Sequence, residues 1–467
     1  MAERDRIKKT RTVRDTIGAM EIAVDAPWGA QTQRSLHNFP IGRETMPWAQ
    51  IRAMLEIKLV AAKVNVDAGR LDADVGARIQ AVCESLIEEK DLTKFPLTVW
   101  QTGSGTQTNM NVNEVVAELC NRNDAGPRVH PNDHVNRCQS SNDVFPAGMH
   151  IAAKRLLEQS VIPALDMLIK ELYSLEERAG GTVKIGRTHL QDAVPLGFAQ
   201  EVSGWRATLE QDCELIGEAA IRLEALPLGG TAVGTGLNSY DGYPEATSNE
   251  LSRLTGLSFR PATNFFSQLG GKNFIVNAHG ALRVLATDLH KIANDIRLLA
   301  SGPRSGLSEI ELPANEPGSS IMPGKVNPTQ CEALCMLCAQ VMGNDVALSF
   351  AGASGHLQLN TYMPLMIYNL EQSARLLSDG CRSFAERCVS GIVVNQERMR
   401  HNVERSLMLV TRLAPEIGYE TCAAIVKKAF AEDLDLKEVA VEGKYITAEK
   451  FEELMQIEDM LRPDPRG

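Results

Sequence analysis

The ten residues 318–327 combine the residue types that bind and transfer charge. Two glycines and a proline make this backbone irregular and let it approach a ligand closely. Lys325 and Asn327 supply a cationic and a neutral donor suited to a carboxylate, and Ser319 and Ser320 add hydroxyls. A nucleotide P-loop is excluded, because Ser319 stands where its first glycine belongs and no Ser or Thr follows the lysine. The segment predicts an anion-binding loop, with a solvated Gly/Ser loop as the alternative.

Three other polar segments have the composition of binding sites. Gly103–Asn111 precedes a helix-like stretch and would receive an anion on its amides, although such runs mostly form caps and turns. His130–His134 has a metal-like H-x3-H spacing, but Pro131 disfavours a helical pair of ligands, so a polar loop is expected. Gly186–Ala193 contains His189, a candidate for proton transfer near neutral pH, with a packing role as the alternative.

Cysteine usage indicates a reducing compartment, because ten cysteines show no compact disulfide framework. Cys331, Cys335 and Cys338 reproduce the C-x3-C-x2-C spacing of radical S-adenosylmethionine enzymes. That spacing also places the three on one side of a helix, where free cysteine packs as a small hydrophobe. The apolar context favours the helix over an iron–sulfur cluster.

Length and charge indicate a large soluble enzyme. The chain has 467 residues, 44% of them apolar, which suggests about three domains. Its net charge of −11 argues against nucleic-acid or membrane partners, so an anionic substrate needs a locally electropositive site. The basic start, residues 1–14, contains acids and no apolar core, unlike a secretory signal. No uninterrupted apolar run reaches the length of a bilayer, and a cytoplasmic location is expected.

Hydrophobic periodicity predicts a mainly α fold. Apolar residues recur at steps of three and four over 275–299 and, in a shorter stripe, over 157–175. Three further long helices are expected at about 197–225, 330–350 and 363–389, separated by Gly/Pro-rich loops. Five long helices predict an antiparallel bundle. The predicted division is an N-terminal domain 1–138, a central bundle domain 139–396 and a small C-terminal helical domain 397–467.

The segment Gly318–Glu332 resembles the signature of the fumarase/aspartase superfamily, whose members eliminate fumarate from succinyl-type substrates. Matching segments follow in order from Trp28–Thr32 to the C-terminal region. Aspartases typically carry glutamine, threonine and alanine where this chain has His189, Ser141 and Gly324. These three positions are similar to those of class II fumarases.

The resemblance implies reversible hydration of fumarate to L-malate, a step of the tricarboxylic acid cycle, without a metal or organic cofactor. It also implies a homotetramer with a twenty-helix core, in which three subunits share each active site. The implied catalytic residues are His189, Ser319 and Glu332. The implied substrate-binding residues are Ser104, Gly105, Thr106, Ser140, Ser141, Asn142, Thr188, Ser320, Lys325, Val326 and Asn327. An accessory dicarboxylate site, the B site, matches His130, Pro131, Asn132 and Asp133.

The elimination explains why such groups are needed. Removing the C3 proton of malate builds a doubly charged aci-carboxylate, which donors must stabilise. Ser319 is the expected base at C3 and His189 the acid at the leaving hydroxyl, supported by Glu332; the reverse, with His189 as the base, stays open. His134 and Pro127 depart from the residues expected near the accessory site. The alternatives are an aspartate ammonia-lyase and a non-catalytic relative, such as the crystallins related to these lyases.

Overall fold

The structure, a computed structural model, describes residues 9–122 and 126–463, so the first eight residues of the basic N-terminal segment lie outside it. Seventeen α-helices dominate the described residues. In chain order these are α1 (Ala30–Asn38), α2 (Trp48–Asp67), α3 (Ala73–Glu89), α4 (Thr106–Asn121), α5 (Ser141–Leu156), α6 (Ile162–Ala179), α7 (Phe198–Arg222), α8 (Tyr243–Thr255), α9 (Phe265–Gly270), α10 (Asn273–Leu299), α11 (Thr329–Ala353), α12 (Met363–Arg387), α13 (Gln396–Glu404), α14 (Ala414–Ile417), α15 (Tyr419–Glu432), α16 (Leu436–Glu442) and α17 (Ala448–Leu454). The predicted mainly α class is confirmed.

Strands are short and occur in pairs. Three of the four two-stranded sheets are antiparallel, and the pair β5–β6 is parallel. The strands are β1 (Thr10–Arg14), β2 (Ala19–Ala23), β3 (Val183–Thr188), β4 (Gln191–Gly197), β5 (Ala225–Leu226), β6 (Arg260–Pro261), β7 (Ile310–Glu311) and β8 (Val393–Val394).

The five predicted long helices are present as α6, α7, α10, α11 and α12, with ends shifted by a few residues. Every apolar position of the stripe from Ile275 to Leu299 is buried, as are those from Leu157 to Leu175. Leu157–Val161 forms a π-helical turn that joins α5 to α6. The three cysteines Cys331, Cys335 and Cys338 lie on α11, as predicted.

The chain divides into two compact units, each made of three chain segments. Unit 1 comprises the described residues up to Pro163 together with Asp212–Thr287 and Leu337–Ser378. Here α2 packs against α3, α5 and α8, and its residues from Ala53 to Ala62 are all buried. A helix enclosed on several sides is expected to be apolar nearly all round, so the buried charges Glu56 and Lys58 on α2 must find partners inside the protein.

Unit 2 comprises Ala164–Gln211, Asp288–Met336 and the described residues from Asp379. Its C-terminal helices enclose a core of their own, which includes Leu413, Ile425 and Phe451. Ile185 of β3 belongs to the same core and α13 packs on β3, so the β3–β4 hairpin has a fixed base. The three-domain division predicted from the sequence stays a prediction.

One helix, α11, is long and apolar enough by its mean hydropathy to cross a membrane. The sequence contains no uninterrupted apolar run of that length because Asn344 and Asp345 interrupt it. In unit 1 the Asp345 carboxylate lies 2.8 Å from Nδ1 of buried His279, and Asn344 donates to Ser373 over 3.0 Å. One side of α11 is thus tied into unit 1 by polar contacts.

Candidate active site

In unit 1, the segment predicted to receive an anion forms the start of α4. Gly105 is its N-cap and lies in the left-handed region with φ of 70°. A Cβ there would lie 2.1 Å from the ring of Phe145, and one on Gly103 would lie 1.4 Å from the Thr361 carbonyl. Glycine is therefore required at Gly105 by conformation and by space, and at Gly103 by space. Gly105 has no side chain with which to cap α4, and among the first amides of the helix that of Thr108 donates to Oε1 of Gln101 over 3.0 Å.

The Ser104 and Thr106 hydroxyls lie 2.8 Å apart at this helix start. Ser104 is almost buried and Thr106 is half-buried. Hydroxyls and helix-start amides together form an arrangement that receives an anionic oxygen well.

The segment Ser140–Asn142 begins α5. Ser140 is the N-cap and forms a capping box with Asp143, which is 0% exposed. The Asp143 carboxylate accepts from the backbone amides of Ser140, Gly229 and Thr231 at 2.9–3.0 Å. Burial raises the pKa of Asp143 to about 6, although these amides oppose the shift. The carboxylate thus ties the start of α5 to the loop after β5.

A chain of amide side chains joins the two helix starts. Asn109 of α4 donates from Nδ2 to the Ser141 hydroxyl over 3.0 Å and accepts at Oδ1 from Lys58 over 2.8 Å. Lys58 is 0% exposed, and burial lowers its pKa to about 7 despite the charge of Asp143. Unit 1 therefore brings the 104–106 and 140–142 segments together, through residues that the sequence analysis did not assign.

The accessory segment is a single π-helical turn, Pro131–Val135, and the prediction of a polar loop was wrong. Proline is tolerated at the first position of a helical turn, and His130 caps it by accepting at Nδ1 from the amides of Asn132 and Asp133. His134 in turn accepts at Nδ1 from the His130 amide over 3.0 Å. Nδ1 of each imidazole therefore accepts hydrogen bonds from backbone amides. Asn132 and Asp133 are exposed.

In unit 2, His189 lies at the tip of the β3–β4 hairpin. Thr188 pairs with Gln191, so His189 and Leu190 are the two turn residues, with φ of 58° and 61°. A two-residue turn with positive φ at both positions matches the twist of the flanking strands, but glycine or asparagine usually occupies it. Thr188, His189 and Leu190 are all exposed. The hairpin presents the imidazole to solvent on a strained turn, a feature that often marks functional sites.

Buried charges hold this hairpin in unit 2. Glu309 is 0% exposed and accepts from Arg187 over 2.7 Å, with Lys184 at 3.3 Å. Lys184 also pairs with Glu201, and Asn402 donates to Glu309 over 3.0 Å. Burial raises the pKa of Glu309, but Arg187 and Lys184 outweigh burial and the net pKa is lowered.

The loop 312–328 is closed on itself by its backbone. The Gly318 amide donates to the Lys325 carbonyl over 3.0 Å, and the Asn327 side chain donates to the Gly318 carbonyl over 2.6 Å. A Cβ on Gly318 would lie 2.3 Å from the Lys325 oxygen, so glycine is required there. This closure fixes the spacing between Lys325 and Asn327.

Ser319 accepts two hydrogen bonds at its hydroxyl oxygen, from the amides of Ile321 at 3.2 Å and Met322 at 3.1 Å. Two amide donors aimed at one oxygen stabilise a negative charge on it. Ser319 is half-buried, and Ser320 is exposed.

A cleft of about 830 Å³ in unit 2 is lined by Lys325, Val326, Asn327 and Glu332, together with Arg297. In the described ranges 9–122 and 126–463, no ion pair or hydrogen bond engages the Lys325 ammonium or the Glu332 carboxylate. The cleft therefore contains a cationic group, Lys325, that could bind an anion and a carboxylate, Glu332, that could take part in acid–base chemistry.

His189 and Glu332 are both exposed, and no hydrogen bond joins them in the described part of the chain. The expected support of the histidine by Glu332 is therefore not a hydrogen bond among the described residues of this chain.

Buried His279 has the connections of a catalytic triad, with Asp345 at 2.8 Å and Ser373 at 2.9 Å. Ser373 is 0% exposed and its oxygen also accepts from Asn344, so it offers no accessible nucleophile. Over residues 9–122 and 126–463, no group of three or more His, Cys, Asp or Glu side chains is arranged to hold a metal ion.

Comparisons with known proteins agree along the chain. A family model described as lyase matches residues 18–343, and one described as fumarase C C-terminus matches 409–462. The class II fumarate hydratase of Pseudomonas putida is 51% identical over 98% of this chain and 100% of its own length. That of Bacillus subtilis is 50% identical over 97% and 99%. A crystal structure of class II fumarase from Schistosoma mansoni has a TM-score of 0.96 and 42% identity over 97% of this chain and 100% of its own.

The buried cluster under the hairpin yields a prediction on stability. Glu309→Gln should lower the free energy of unfolding at pH 7 by about 3 kcal/mol or more, because Arg187 loses a buried partner. The folded pKa of Glu309 lies below its ordinary 4.5, so its charge stabilises the fold above that pH, and the effect fades as pH falls through the folded value. The gap between wild type and Glu309→Gln, measured by denaturant unfolding, should therefore narrow from pH 7 to pH 4.

The matched control is Glu201→Gln, which removes a half-exposed partner of Lys184 and should cost within about 1 kcal/mol. Equal losses for the two variants, or a gap that does not depend on pH, would contradict the role assigned to Glu309.

Proposed function

The chain belongs to the lyase family and, within it, to the class II fumarate hydratases, and from this we propose how its residues carry out the reaction. It catalyses the reversible hydration of fumarate to L-malate. The observation that carries this function is the match to these enzymes along nearly the whole chain. An aspartate ammonia-lyase is not favoured, and His189, Ser319 and Glu332 are all present, unlike in a relative that has lost its catalytic groups.

Ser319 is the base that removes the C3 proton. A serine hydroxyl is a poor base unless its alkoxide is stabilised. The two amides of Ile321 and Met322 that point at its oxygen supply that stabilisation. The Ser319 alkoxide takes the C3 proton and becomes the hydroxyl, while the C3–H electron pair passes into the adjacent carboxylate to form the aci-carboxylate.

His189 is the acid for the leaving group. The C2–O bond breaks on the opposite face, the hydroxyl takes a proton from the imidazole and leaves as water, and the C2–C3 double bond of fumarate forms. Glu332, from the cleft of unit 2, supports the charged imidazole electrostatically.

The carboxylates are bound by neutral and cationic donors. Lys325, Asn327 and the amide of Val326 hold the carboxylate that becomes the aci-carboxylate, with Ser320 and Thr188 beside them. The two helix starts of unit 1 complete the binding set with Ser104, Gly105, Thr106, Ser140, Ser141 and Asn142. Exposed Asn132 and Asp133, with His130 and Pro131, form the accessory dicarboxylate site. No metal or organic cofactor takes part, because protein donors supply the stabilisation.

The active unit is a homotetramer in which three subunits share each site. The most apolar part of α11 is only 28% buried within one chain, and Met336, Val346 and Phe350 are each about 70% exposed. Other copies of the chain cover this face, pairing four five-helix bundles into a twenty-helix core. A bilayer is the poorer partner, since Asn344 and Asp345 lie on the same helix. The separate exposure of His189 and Glu332 supports shared sites.

The enzyme acts in the cytoplasm, in the tricarboxylic acid cycle. This location fits ten free cysteines, of which eight are buried. The chain has three domains, at 1–138, 139–396 and 397–467.

Substrate choice is tested by assaying fumarate absorbance with L-malate and L-aspartate in parallel. Because His189 and Gly324 differ from the residues typical of aspartases, L-malate should be converted and L-aspartate ignored. Ammonia release from L-aspartate at a comparable rate would overturn the assignment.

The acid and base roles are tested by His189→Asn and Ser319→Ala, each of which should lower kcat by roughly 100-fold or more if the residue transfers a proton. His130→Asn is the control and should leave kcat nearly unchanged, because that residue belongs to the accessory site. Hydrogen exchange at C3 of malate separates the roles. A Ser319→Ala enzyme that exchanges the C3 proton at the normal rate would assign the base to His189.

Shared sites are tested by refolding the inactive His189→Asn and Ser319→Ala chains together in equal amounts. About one site in four should draw both intact residues from different subunits and regain activity, since donors are drawn independently in a symmetric oligomer. Each variant refolded alone is the control. Mixed tetramers without recovered activity would contradict sites shared between chains.

A further inference from the structure

Lys58 is a cation in the interior of unit 1 whose partners are neutral. Its Nζ lies 2.8 Å from Oδ1 of Asn109, 2.9 Å from Oδ1 of Asn136 and 2.9 Å from Oε1 of Gln139. It lies on α2 between Ile57 and Leu59, both buried, and is itself 0% exposed. Taking a charge out of water is costly, so this arrangement needs a reason beyond packing.

The three acceptor oxygens around Nζ match the three N–H groups of the ammonium form of lysine. An ammonium cannot accept, so the oxygen of the Asn109 amide must face Lys58 and its nitrogen must face away. That nitrogen donates to Oδ1 of Asn136 over 3.1 Å and to the Ser141 oxygen over 3.0 Å.

The direction of the last hydrogen bond matters for the site. Because the Ser141 oxygen accepts from Asn109, its hydroxyl proton is left to donate elsewhere. Ser141 is half-buried at the start of α5, so that proton is available to a ligand. Hydrogen bonds in such a chain polarise one another, and an ammonium at its origin makes the terminal hydroxyl a stronger donor.

We propose that Lys58 is a positioning residue for dicarboxylate binding, which orients Asn109 and thereby holds the Ser141 hydroxyl as a donor to a substrate carboxylate. Lys58 does not touch the substrate in this arrangement and acts through two side chains. The inference rests on the proposed function in one respect, namely that Ser141 binds the substrate.

The test is a double-mutant cycle on L-malate dehydration by the full-length enzyme. Lys58→Met removes the charge but keeps an unbranched side chain of similar size. It should lower kcat/KM about tenfold or more, chiefly through KM, as expected for losing a charge-assisted hydrogen bond. In the Ser141→Ala background the same substitution should cost less than about threefold, because residues that act through one another are not additive.

The matched control is Lys272→Met in unit 1. Lys272 is 2% exposed and donates to three backbone carbonyls, those of Gln268, Leu269 and Gly271. Burial lowers its pKa to about 7, as for Lys58. Its substitution reports the general cost of deleting a buried ammonium, and its effect on kcat/KM should be the same with and without Ser141→Ala.

A second variant covers the case in which Lys58→Met does not fold. Asn109→Asp keeps an oxygen toward Lys58 but replaces the nitrogen with an oxygen toward Ser141, which forces the hydroxyl to donate inward. It should raise KM for L-malate at least as much as Ser141→Ala, and a normal KM would overturn the inference.

The outcomes separate the two claims. If Lys58→Met lowers kcat/KM by the same factor in the wild-type and Ser141→Ala backgrounds, the inference is overturned but the proposed function stands. If Ser141→Ala alone leaves kcat/KM for L-malate at the wild-type value, both the inference and the substrate role of Ser141 are overturned. Wild-type enzyme without activity on L-malate contradicts the function itself.

Discussion

A charge removed from water must be solvated by the protein, and the binding groups of unit 1 depend on this constraint. The Asp143 carboxylate takes its donors from the amides of Ser140, Gly229 and Thr231, while the Lys58 ammonium takes its acceptors from three amide side chains. Neither charge pairs directly with the other. Ser140 and Ser141, both proposed to bind substrate, are therefore held by the groups that solvate two buried ions, and their order follows from the cost of leaving those ions unsatisfied.

Unit 2 meets the same constraint by direct pairing. Glu309 is held between Arg187 and Lys184, and this cluster anchors the hairpin that carries His189. The loop 312–328, by contrast, is shaped by main-chain contacts and by Asn327, whose side chain closes the loop on Gly318. Asn327 thus has two roles: it is proposed to bind a substrate carboxylate, and its side chain donates to the Gly318 carbonyl and closes the loop. Replacing Asn327 with alanine would therefore remove the proposed carboxylate donor and the contact that closes the loop at the same time.

Helix content and the polar segments were predictable from the sequence, because periodicity and glycine placement act locally. Trp28–Thr32 was noted only as a family match, and the structure gives its physical reason: three amides of this segment donate to the buried carboxylate of Glu114. Lys58, Asn109 and Glu309 were not predicted, since their roles depend on partners far away in the chain. A local signal was the presence of the charged residues Glu56 and Lys58 inside the apolar stretch of α2. The π-helical turn at Pro131 was missed because the imidazoles that cap it act through contacts that spacing alone does not reveal.

The tip of the β3–β4 hairpin restricts which residues can occupy position 189, where the proposed acid lies. At φ of 58°, position 189 favours glycine, asparagine, aspartate and histidine over branched or bulky side chains. Histidine is the member of that set that exchanges protons near neutral pH. Histidine therefore meets two requirements at position 189: the positive φ of the turn and the proton transfer proposed for this residue. Glycine or asparagine at position 189 would keep the turn but remove the imidazole, whereas a β-branched residue would strain the turn itself, so the two requirements would fail through different substitutions.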